Sequence, residues 1–402
     1  MKIIIAPDSF KGSLSSEKAA EAIERGIKRC LPEAETVKIP IADGGEGTLE
    51  SLIAATGGQK VPVRVTGPLG EPVDAEYGVI GGAGAGQESG EGGDAGSGRI
   101  AVIEMAKASG IVLVPADRLN PLKASTFGTG ELIRHALNAG YRRFILALGG
   151  SATNDGGAGM LQALGMRLIG RDGKEIAPGA GGGALAGIAA IDAADFDPRI
   201  AEARFVIASD VQNPLIGPAG ATHIFGPQKG ATPEMLEILE RGMTNWADLI
   251  ERTTGVRLHD RPGAGAAGGI SGAFMAFFPA ETRRGIDVVI EYANMRYHLQ
   301  GADLVITGEG RIDHQTASGK TPMGIAQEAG KFGVPTIALA GAVGDGIEPL
   351  YAEGIQAVFS IVRGPMSLGE AMEKAPELIE QTAEQIMRAL LTGGKLKEKR
   401  GG

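Results

Sequence analysis

Four short segments of this chain contain glycines, and three of them also contain carboxylates, a pattern typical of small-anion binding. Each follows a predicted buried strand, and in a parallel α/β sheet the carboxyl ends of the strands form the ligand crevice. Glycines beside acids let backbone N–H groups and carboxylates converge on one small ligand or on hydrated Mg²⁺. The segments are PDSFKGS (7–13), ADGGEGT (42–48), GEGRID (308–313) and GAVG (341–344).

The acids in these segments also have a simpler explanation. Taken singly, Asp8, Asp43 and Asp313 could each be a turn or cap residue. The recurrence of the same chemistry at four strand ends nevertheless favours a site. Positive charge beside the acids would come from Lys11, Arg311 and Lys320, although a solvated surface position explains each of these cations equally well.

A second group of such segments lies in the middle of the chain. A predicted strand at 144–148 runs into GGSATNDGG (149–157), whose backbone amides could hold an anion at the start of a helix. Asp155 in this segment could equally be only a helix cap. Another strand, 205–208, ends in SDVQNP (209–214), and FGPQKG (225–230) places Lys229 in a tight loop.

Together these segments supply the candidate site residues. The catalytic candidates are Lys11, Asp43, Asp210, Arg311 and Asp313. The candidates for binding substrate or nucleotide are Asp8, Ser9, Gly44, Gly45, Glu46, Ser151, Asn154, Asp155, Asn213, Lys229, Glu309, Thr316 and Lys320. Asp43 and Glu46 are also the candidate ligands of Mg²⁺.

Two segments resemble standard nucleotide-binding motifs, but neither has the full pattern or context that its motif requires. GAGAAG (263–268) spells GxGxxG, but LHDRP precedes it and is not a strand, so close helix packing is the better explanation. SGKT (318–321) resembles the end of a P-loop, yet His314 stands where that motif needs its first glycine. The five histidines lack the spacing of a metal site, and we assign none of them to metal.

The elements that must position these residues alternate along the chain. Short apolar runs separated by helical patterns predict βαβ units and a parallel sheet. We predict strands at 2–6, 36–41, 303–307, 335–340 and 356–361, with helices at 15–28, 47–55, 322–332 and 371–391.

The middle of the chain has a different pattern. Strands at 61–65, 73–79 and 99–104 have the short spacing of an antiparallel meander. Residues 81–98 are low in complexity and almost free of apolar side chains, which predicts a flexible hairpin tip. We therefore predict one α/β domain, 1–66 plus 282–402, interrupted by an inserted mixed α/β domain, 67–281.

Composition restricts the class of protein. Glycine accounts for 65 of the 402 residues, well above the usual proportion of about 7%, which indicates many tight loops. The net charge of −9 disfavours nucleic acid as a partner. A single cysteine, Cys30, excludes an internal disulfide and suits a reducing compartment. No apolar run reaches the roughly 20 residues of a membrane span, so we expect a soluble cytoplasmic protein.

The segments together resemble one known family. The strings are APDSFKGSL (6–14), ADGGEGT (42–48), GGSATNDGGAGML (149–161), SDVQNPLIGPAGA (209–221), FGPQKGA (225–231), PGAGAAGG (262–269) and DLVITGEGRIDHQT (303–316). In this order they look like the bacterial glycerate kinase family that yields 2-phosphoglycerate. The resemblance implies ATP and D-glycerate as substrates, Mg²⁺ as cofactor, and two domains with the active-site cleft between them. It also implies that the interrupted domain is a flavodoxin- or Rossmann-like doubly wound parallel sheet.

Phosphoryl transfer of this kind would give roles to several of the candidates. Because the transition state spreads negative charge over the transferred group, Lys11, Lys229, Arg311 and Lys320 are candidate cationic clamps. Arg311 suits a carboxylate, since its planar fork binds two oxygens. The proton of the reacting hydroxyl would go to Asp210 or Asp313, and the backbone of 149–157 would hold phosphates.

Several alternatives stay open at this point. Transfer to the 3-hydroxyl, or to another small hydroxy acid, differs too little in chemistry for residue patterns to decide. A non-catalytic sensor of sugar acids or other anions would keep the glycine loops without needing both acids and lysines. An oxidoreductase is disfavoured because GAGAAG lacks its strand. The chain could be a monomer or a homodimer.

Overall fold

The computed structural model describes residues 1–42, 44–81, 98–314, 316 and 321–401, with side chains as far as residue 393. The chain forms two compact units. Unit 1 consists of Met1–Asp43, Glu50–Gly57 and Ile286–Gly402, and unit 2 of Gly44–Leu49 and Gly58–Gly285. The predicted site residues Asp43 and Lys320, and nearly all of the predicted hairpin tip, lie outside the described residues.

Strands and helices alternate through most of the described chain. The strands are β1 (Lys2–Pro7), β2 (Glu35–Lys38), β3 (Gln59–Thr66), β4 (Pro72–Gly81), β5 (Arg99–Glu104), β6 (Arg143–Ala147), β7 (Arg167–Gly170), β8 (Ile188–Asp192), β9 (Arg204–Ala208), β10 (Ala280–Arg283), β11 (Leu304–Ile312), β12 (Thr336–Val343) and β13 (Ile355–Ser360). The domain limits predicted from the sequence, at 66/67 and 281/282, stay a prediction.

The helices pack around two of the sheets that these strands form. They are α1 (Ser16–Cys30), α2 (Thr48–Thr56), α3 (Ala106–Ser109), α4 (Phe127–Asn138), α5 (Ala158–Ala163), α6 (Arg199–Glu202), α7 (Ala221–Phe225), α8 (Pro233–Thr254), α9 (Ile270–Phe277), α10 (Gly285–Tyr292), α11 (Met295–Leu299), α12 (Thr321–Gly330), α13 (Glu348–Ala352), α14 (Leu368–Glu373) and α15 (Ala375–Gly401). Within the described residues, no helix has the length and apolar character that crossing a membrane requires.

Unit 1 is built on a parallel five-stranded sheet in the order β13-β12-β11-β1-β2. Counted along the chain within this unit, the order is 2-1-3-4-5, which is the flavodoxin-like arrangement. Ile5 pairs with Ile306 on one side and with Lys38 on the other. The order therefore reverses between β1 and β11, and this switch point is where such sheets bind ligands. The predicted α/β fold with a flavodoxin-like sheet is confirmed.

The core of unit 1 shows why helices cover both faces of this sheet. Along β12, Ile337 and Leu339 pack with apolar residues of α1 and α15, whereas Ala338 and Ala340 pack with residues of α12 and α13. Successive side chains of a strand point to opposite faces, so a strand apolar at every position needs cover on both. The continuous apolar runs in the sequence follow from this burial.

Unit 2 is built on a six-stranded sheet in the order β10-β9-β6-β5-β4-β3. The pairs β3–β4 and β4–β5 are antiparallel, which confirms the predicted meander, and the remaining pairs are parallel. Phe144 and Phe205 stack at 4.6 Å between ring centroids in its core, and Trp246 is fully buried there. The β7–β8 hairpin and β10 were not predicted, because these strands have four or five residues without clear alternation.

Two strands of unit 1 extend further than the sequence predicts. Residues 308–312 were expected to form a loop, but they continue β11 and pair with β12, with Arg311 opposite Ala342. Glycine explains the error, because it usually marks a loop but here allows two backbones to approach closely. A β-carbon on Gly308 would lie 2.4 Å from the Leu339 carbonyl oxygen, and one on Gly341 would lie 2.5 Å from that of Gly310.

Candidate functional site

At the switch point of unit 1, Asp8 follows directly after β1. Its backbone N–H donates to the Gly308 carbonyl at 2.8 Å, which holds it beside β11. One carboxylate oxygen accepts from the Ser9 N–H at 2.6 Å, and the other accepts from the Thr321 hydroxyl at 2.8 Å. The acid is thus fixed at the sheet edge and tied to the first residue of α12.

A second acidic cluster lies at the end of β11. The buried Thr316 hydroxyl donates to Glu309 Oε1 at 2.7 Å and accepts from the Asp313 N–H at 3.3 Å. Arg311 Nε donates to Asp313 Oδ2 at 2.8 Å, while the Arg311 side chain is 68% exposed. The guanidinium is therefore oriented by Asp313 and still open to a solvent-borne anion.

Lys11 lies in a tight turn at the same sheet edge. The Phe10 N–H donates to the Leu14 carbonyl at 2.8 Å and closes the turn. A β-carbon on Gly310 would come within 3.3 Å of the Lys11 backbone nitrogen, so this turn lies against β11. The Lys11 side chain is exposed.

In unit 2, the segment 44–49 lies across the carboxyl ends of the sheet strands. The Leu148 N–H, just after β6, donates to the Gly44 carbonyl at 3.0 Å. A β-carbon on Gly44 would lie 2.6 Å from the carbonyl oxygen of Ala208, the last residue of β9. One on Gly149 would lie 2.4 Å from the Gly45 Cα. The predicted ADGGEGT and GGSATNDGG segments therefore meet, and glycine is needed at their contact.

Glu104, the last residue of β5, holds the far end of the same segment. Its Oε2 accepts from the Gly47 N–H at 3.1 Å and from the Leu49 N–H at 3.3 Å, at the start of α2. A carboxylate at this place satisfies amides that have no partner within the helix. Glu46 lies between the anchors and is exposed.

Lys229 is a lysine buried within unit 2, with 1% exposure. Its Nζ donates to the Ser151 hydroxyl at 2.8 Å and to the Thr153 carbonyl at 2.5 Å. Burial lowers the pKa of Lys229 from 10.5 to about 7, against the opposing influence of the Asp155 charge. The buried amine of Lys229 is thus hydrogen-bonded to the glycine-rich segment 149–157, and its pKa lies near neutral.

Asp155 has all of its described contacts inside unit 2. Its Oδ2 accepts from the Thr126 N–H at 2.8 Å, the Thr126 hydroxyl at 2.9 Å and the Gly159 N–H at 3.2 Å, and Oδ1 accepts from the Gly157 N–H at 3.2 Å. Burial raises the pKa of Asp155, and these hydrogen bonds oppose the rise. The contacts favour the helix-cap interpretation, because they join the starts of α4 and α5.

The remaining polar candidates of unit 2 differ in burial. Asn154 is buried, with its Nδ2 donating to the Thr222 hydroxyl at 3.1 Å and its Oδ1 lacking a hydrogen-bond partner among the described residues. Asp210 is exposed just after β9. Asn213 Nδ2 donates to the Ala219 carbonyl at 2.9 Å, which closes the loop after Asp210.

Comparison with known proteins shows which family this chain belongs to. A sequence model described as the glycerate kinase family matches residues 3–391. This chain belongs to the glycerate kinase family. It is 51% identical over 390 residues to the glycerate kinase of Bacillus subtilis strain 168, covering 97% of this chain and 98% of the relative. It is 46% identical over 393 residues to the glycerate 2-kinase of Escherichia coli K12, covering 98% and 99%.

A solved structure supports the same assignment. The crystal structure of a Salmonella typhimurium LT2 protein, assigned as glycerate kinase 2, matches with a TM-score of 0.83 and 47% sequence identity. The match covers 98% of this chain and 99% of that one. The resemblance predicted from the sequence is confirmed, as is the two-domain α/β fold of the glycerate kinase family.

Within this glycerate kinase family member, each unit brings one group of the predicted residues together. In unit 1 the group is Asp8, Ser9, Lys11, Glu309, Arg311, Asp313 and Thr316. In unit 2 the close contacts are those of Gly45 with Gly149, of Gly44 with Leu148 and Ala208, and of Lys229 with Ser151. The roles of these residues stay a prediction.

A resident metal would need oxygen ligands in this glycerate kinase family member. Among the described residues, which leave out Asp43, no three acidic, histidine or cysteine side chains converge on a metal position. Mg²⁺ bound with a nucleotide needs only one or two carboxylates, because phosphates and water complete its coordination. Glu46, exposed and next to two glycines, fits that requirement.

Two residues that organise the site were missed in the sequence. Glu104 ends the otherwise apolar strand RIAVIE, and an acid at the end of a buried strand is the signal that could have found it. Thr126 donates to Asp155 through both its N–H and its hydroxyl, but the sequence around Thr126 has no feature that would have pointed to it. Its partner lies 29 residues later in the chain.

Proposed function

We propose that this member of the glycerate kinase family transfers the terminal phosphoryl group of ATP to the 2-hydroxyl of D-glycerate, giving 2-phosphoglycerate. Family membership supplies the reaction class, and the relative named glycerate 2-kinase supports the 2-hydroxyl. The structural observation that carries the proposal is Lys229, buried beneath the glycine-rich 149–157 segment and bonded to Ser151.

The 149–157 segment is the proposed holder of the ATP phosphates. Its glycines permit close backbone approach, and N–H groups at such a strand-to-helix turn favour anions. Phosphate bound at this segment would favour the protonated form of Lys229, and that cation would lie below Ser151, where low exposure to water strengthens its effect on charge developing in the transition state. No side chain has to attack phosphorus, because phosphoryl transfer depends mainly on positioning and charge stabilisation.

Arg311 is the proposed anchor of the glycerate carboxylate. Asp313 holds its Nε, which orients the planar guanidinium while most of that side chain stays exposed. A fork of this kind can bind both oxygens of a carboxylate. Lys11, in the turn beside β11, would add positive charge at the same edge of unit 1.

The proton of the reacting hydroxyl would pass to Asp313 or Asp210. Asp313 lies in the Arg311–Thr316 cluster, and Asp210 is exposed after β9. A carboxylate within hydrogen-bond reach of the hydroxyl would act as general base. Glu46, with Asp43 outside the described residues, would hold Mg²⁺, and the metal would supply positive charge to offset the negative charge of the ATP phosphates.

The direct test is product analysis. Incubation with MgATP and D-glycerate should release ADP in step with glycerate consumption, and ³¹P NMR should show 2-phosphoglycerate as the first product. A purified preparation free of phosphoglycerate mutase is required, since that activity would mix the isomers. A first product phosphorylated at the 3-position would establish the rival kinase activity. Binding of glycerate without ADP release would support the sensor interpretation.

Replacing Arg311 with lysine should raise KM for glycerate about 10- to 100-fold and change kcat much less. Lysine keeps the charge but loses the two-point fork, so the loss falls on substrate binding. Steady-state kinetics with glycerate as the varied substrate measure this effect.

The matched control for Arg311→Lys is Arg199→Lys. Arg199 makes the same kind of contact, from its Nε to an aspartate two residues earlier (Asp197, 2.9 Å), but it lies at α6 of unit 2. The control should leave KM unchanged. An unchanged KM in Arg311→Lys would remove Arg311 from the carboxylate role.

A further inference from the structure

Glu104 is an acid in an apolar setting, and neither the sequence motifs nor the proposed reaction accounts for it. It is 1% exposed and ends β5, in the interior of the unit 2 sheet. A buried carboxylate is costly unless hydrogen bonds compensate it. Here its Oε2 accepts from the Gly47 and Leu49 amides at 3.1 and 3.3 Å.

These contacts hold the far end of the segment 44–49. The segment 44–49 forms a turn closed on itself, with the Thr48 hydroxyl donating to the Gly45 carbonyl at 2.7 Å. Its near end is held by the backbone bond from Leu148 N–H to the Gly44 carbonyl. At its far end, the described side-chain contact is Glu104. The carboxylate also lies at the start of α2, where negative charge is favoured.

We propose that Glu104 is a positioning residue for phosphoryl transfer: it holds the 44–49 segment on the strand ends of unit 2 so that Glu46 is presented at a fixed place. The inference rests on the proposed function, in which Glu46 serves the metal–nucleotide complex. Glu104 itself is buried, so in this proposal it acts on the reaction only through the segment. Its effect on the reaction runs through the two amides.

The proposal predicts kinetic effects of substitutions at Glu104 that a residue with only a stabilising role would not cause. Glu104→Gln keeps the size of the side chain and one accepting oxygen but removes the negative charge. Glu104→Asp keeps the charge and shortens the reach by one methylene. If Glu104 holds the segment 44–49 in position, both variants should lower kcat about tenfold or more. The KM for glycerate should change less than about twofold, because the residues proposed to bind the glycerate carboxylate lie elsewhere.

The test combines kinetics with amide exchange. We expect Glu104→Gln to speed hydrogen exchange at the Gly47 and Leu49 amides and to lower kcat. In a double-mutant cycle with Glu46→Gln, the double variant should be no more than about threefold slower than the slower single variant, because both changes remove the same contribution. Glu104→Asp, measured in the same way, replaces Glu104→Gln if the latter does not fold.

The matched control is Glu131→Gln. Glu131 also accepts a backbone N–H, that of Thr66 at 2.6 Å, but it lies in α4 and does not contact the segment. This control should keep kcat. Faster exchange at Gly47 and Leu49 with unchanged kcat in Glu104→Gln would overturn the positioning role. Fully multiplicative losses in the cycle would overturn it too, provided that Glu46→Gln alone also lowers kcat.

The outcomes also separate this inference from the proposed function. If Glu46→Gln keeps full kcat while Glu104→Gln loses it with faster amide exchange, the segment is positioned by Glu104 and the metal role of Glu46 is wrong. If the wild-type protein forms no phosphoglycerate from MgATP and D-glycerate, the proposed function is wrong, and the positioning role in catalysis is overturned with it.

Discussion

Replacing Lys229 with methionine should lower kcat/KM about 100- to 1000-fold in a protein that still folds. The Nζ of Lys229 lies 2.8 Å from the Ser151 hydroxyl, beneath the proposed phosphate-binding segment. Removing one positioned cationic donor from such a site typically costs about 3–4 kcal/mol of transition-state stabilisation. Methionine fills a similar volume without the charge, so the core around it should stay packed. Coupled measurement of ADP release checks the rate, and circular dichroism checks the fold.

The same substitution should change how stability depends on pH. Lys229 has a pKa of about 7 in the folded protein, whereas a lysine in the unfolded chain keeps about 10.5. Between these values the unfolded chain binds a proton that the folded chain does not. The free energy of unfolding of the wild type should therefore rise with pH across this window, by up to about 1.4 kcal/mol per pH unit from this group. The penalty of burying the charge is fully present below pH 7.

Urea unfolding at several pH values between 7 and 10 measures this effect. The stability difference, wild type minus Lys229→Met, should grow as pH rises, because the variant lacks the titrating amine. Lys174→Met is the control, since the Lys174 side chain is 85% exposed, and it should follow the wild type in both activity and pH slope. Parallel pH slopes for wild type and Lys229→Met would show that Lys229 keeps an ordinary pKa.

Gly44→Ala should destabilise unit 2 and reduce activity together. Gly44 has φ +87°, a conformation that costs an alanine about 1 kcal/mol, and its new β-carbon would lie 2.6 Å from the Ala208 carbonyl oxygen. The overlap is with backbone and cannot be relieved by a side-chain rotation. We expect a total loss of about 2–4 kcal/mol in the free energy of unfolding, or a shift of the 44–49 segment that lowers kcat about tenfold or more. Denaturant unfolding and steady-state kinetics report the two effects separately.

The Gly47→Ala variant separates the cost of the backbone conformation from the cost of the steric overlap with Ala208. Gly47 lies in the same segment with φ +90°, yet no heavy atom lies within 4 Å of a β-carbon placed there. Its alanine variant should lose only the conformational cost, about 1 kcal/mol. Equal losses in the two variants would show that the approach of Gly44 to Ala208 is not a constraint on the segment.

Local sequence patterns predicted which segments stand at strand ends, but not how far the strands run. Asp8, Asp210 and the 149–157 segment follow β1, β9 and β6 as expected, because apolar periodicity marks a buried strand and its end. The extent of β11 was missed because Gly308 and Gly310 look like loop residues. Their place in a ladder depends on close approach to β12, which belongs to a later part of the chain.

The same limit applies to the contacts that hold the site. Glu104 meets amides 57 and 55 residues earlier in the chain, and the Thr316 hydroxyl meets Glu309 across the end of a strand. Burial of a carboxylate is decided by such distant partners, whereas composition and spacing report only on neighbours. Family resemblance supplied the reaction, and the physical arrangement of Lys229 and Ser151 was visible only in the structure.

The membership of 44–49 in unit 2 has a consequence for dissecting the protein into fragments. A fragment that begins at residue 58 retains the whole sheet of unit 2 but lacks this hexapeptide. Glu104 would then lose both amide partners, and the surface that Gly149 offers to Gly45 would be uncovered. An excised version of unit 2 should therefore include residues 44–49 if it is to keep these contacts.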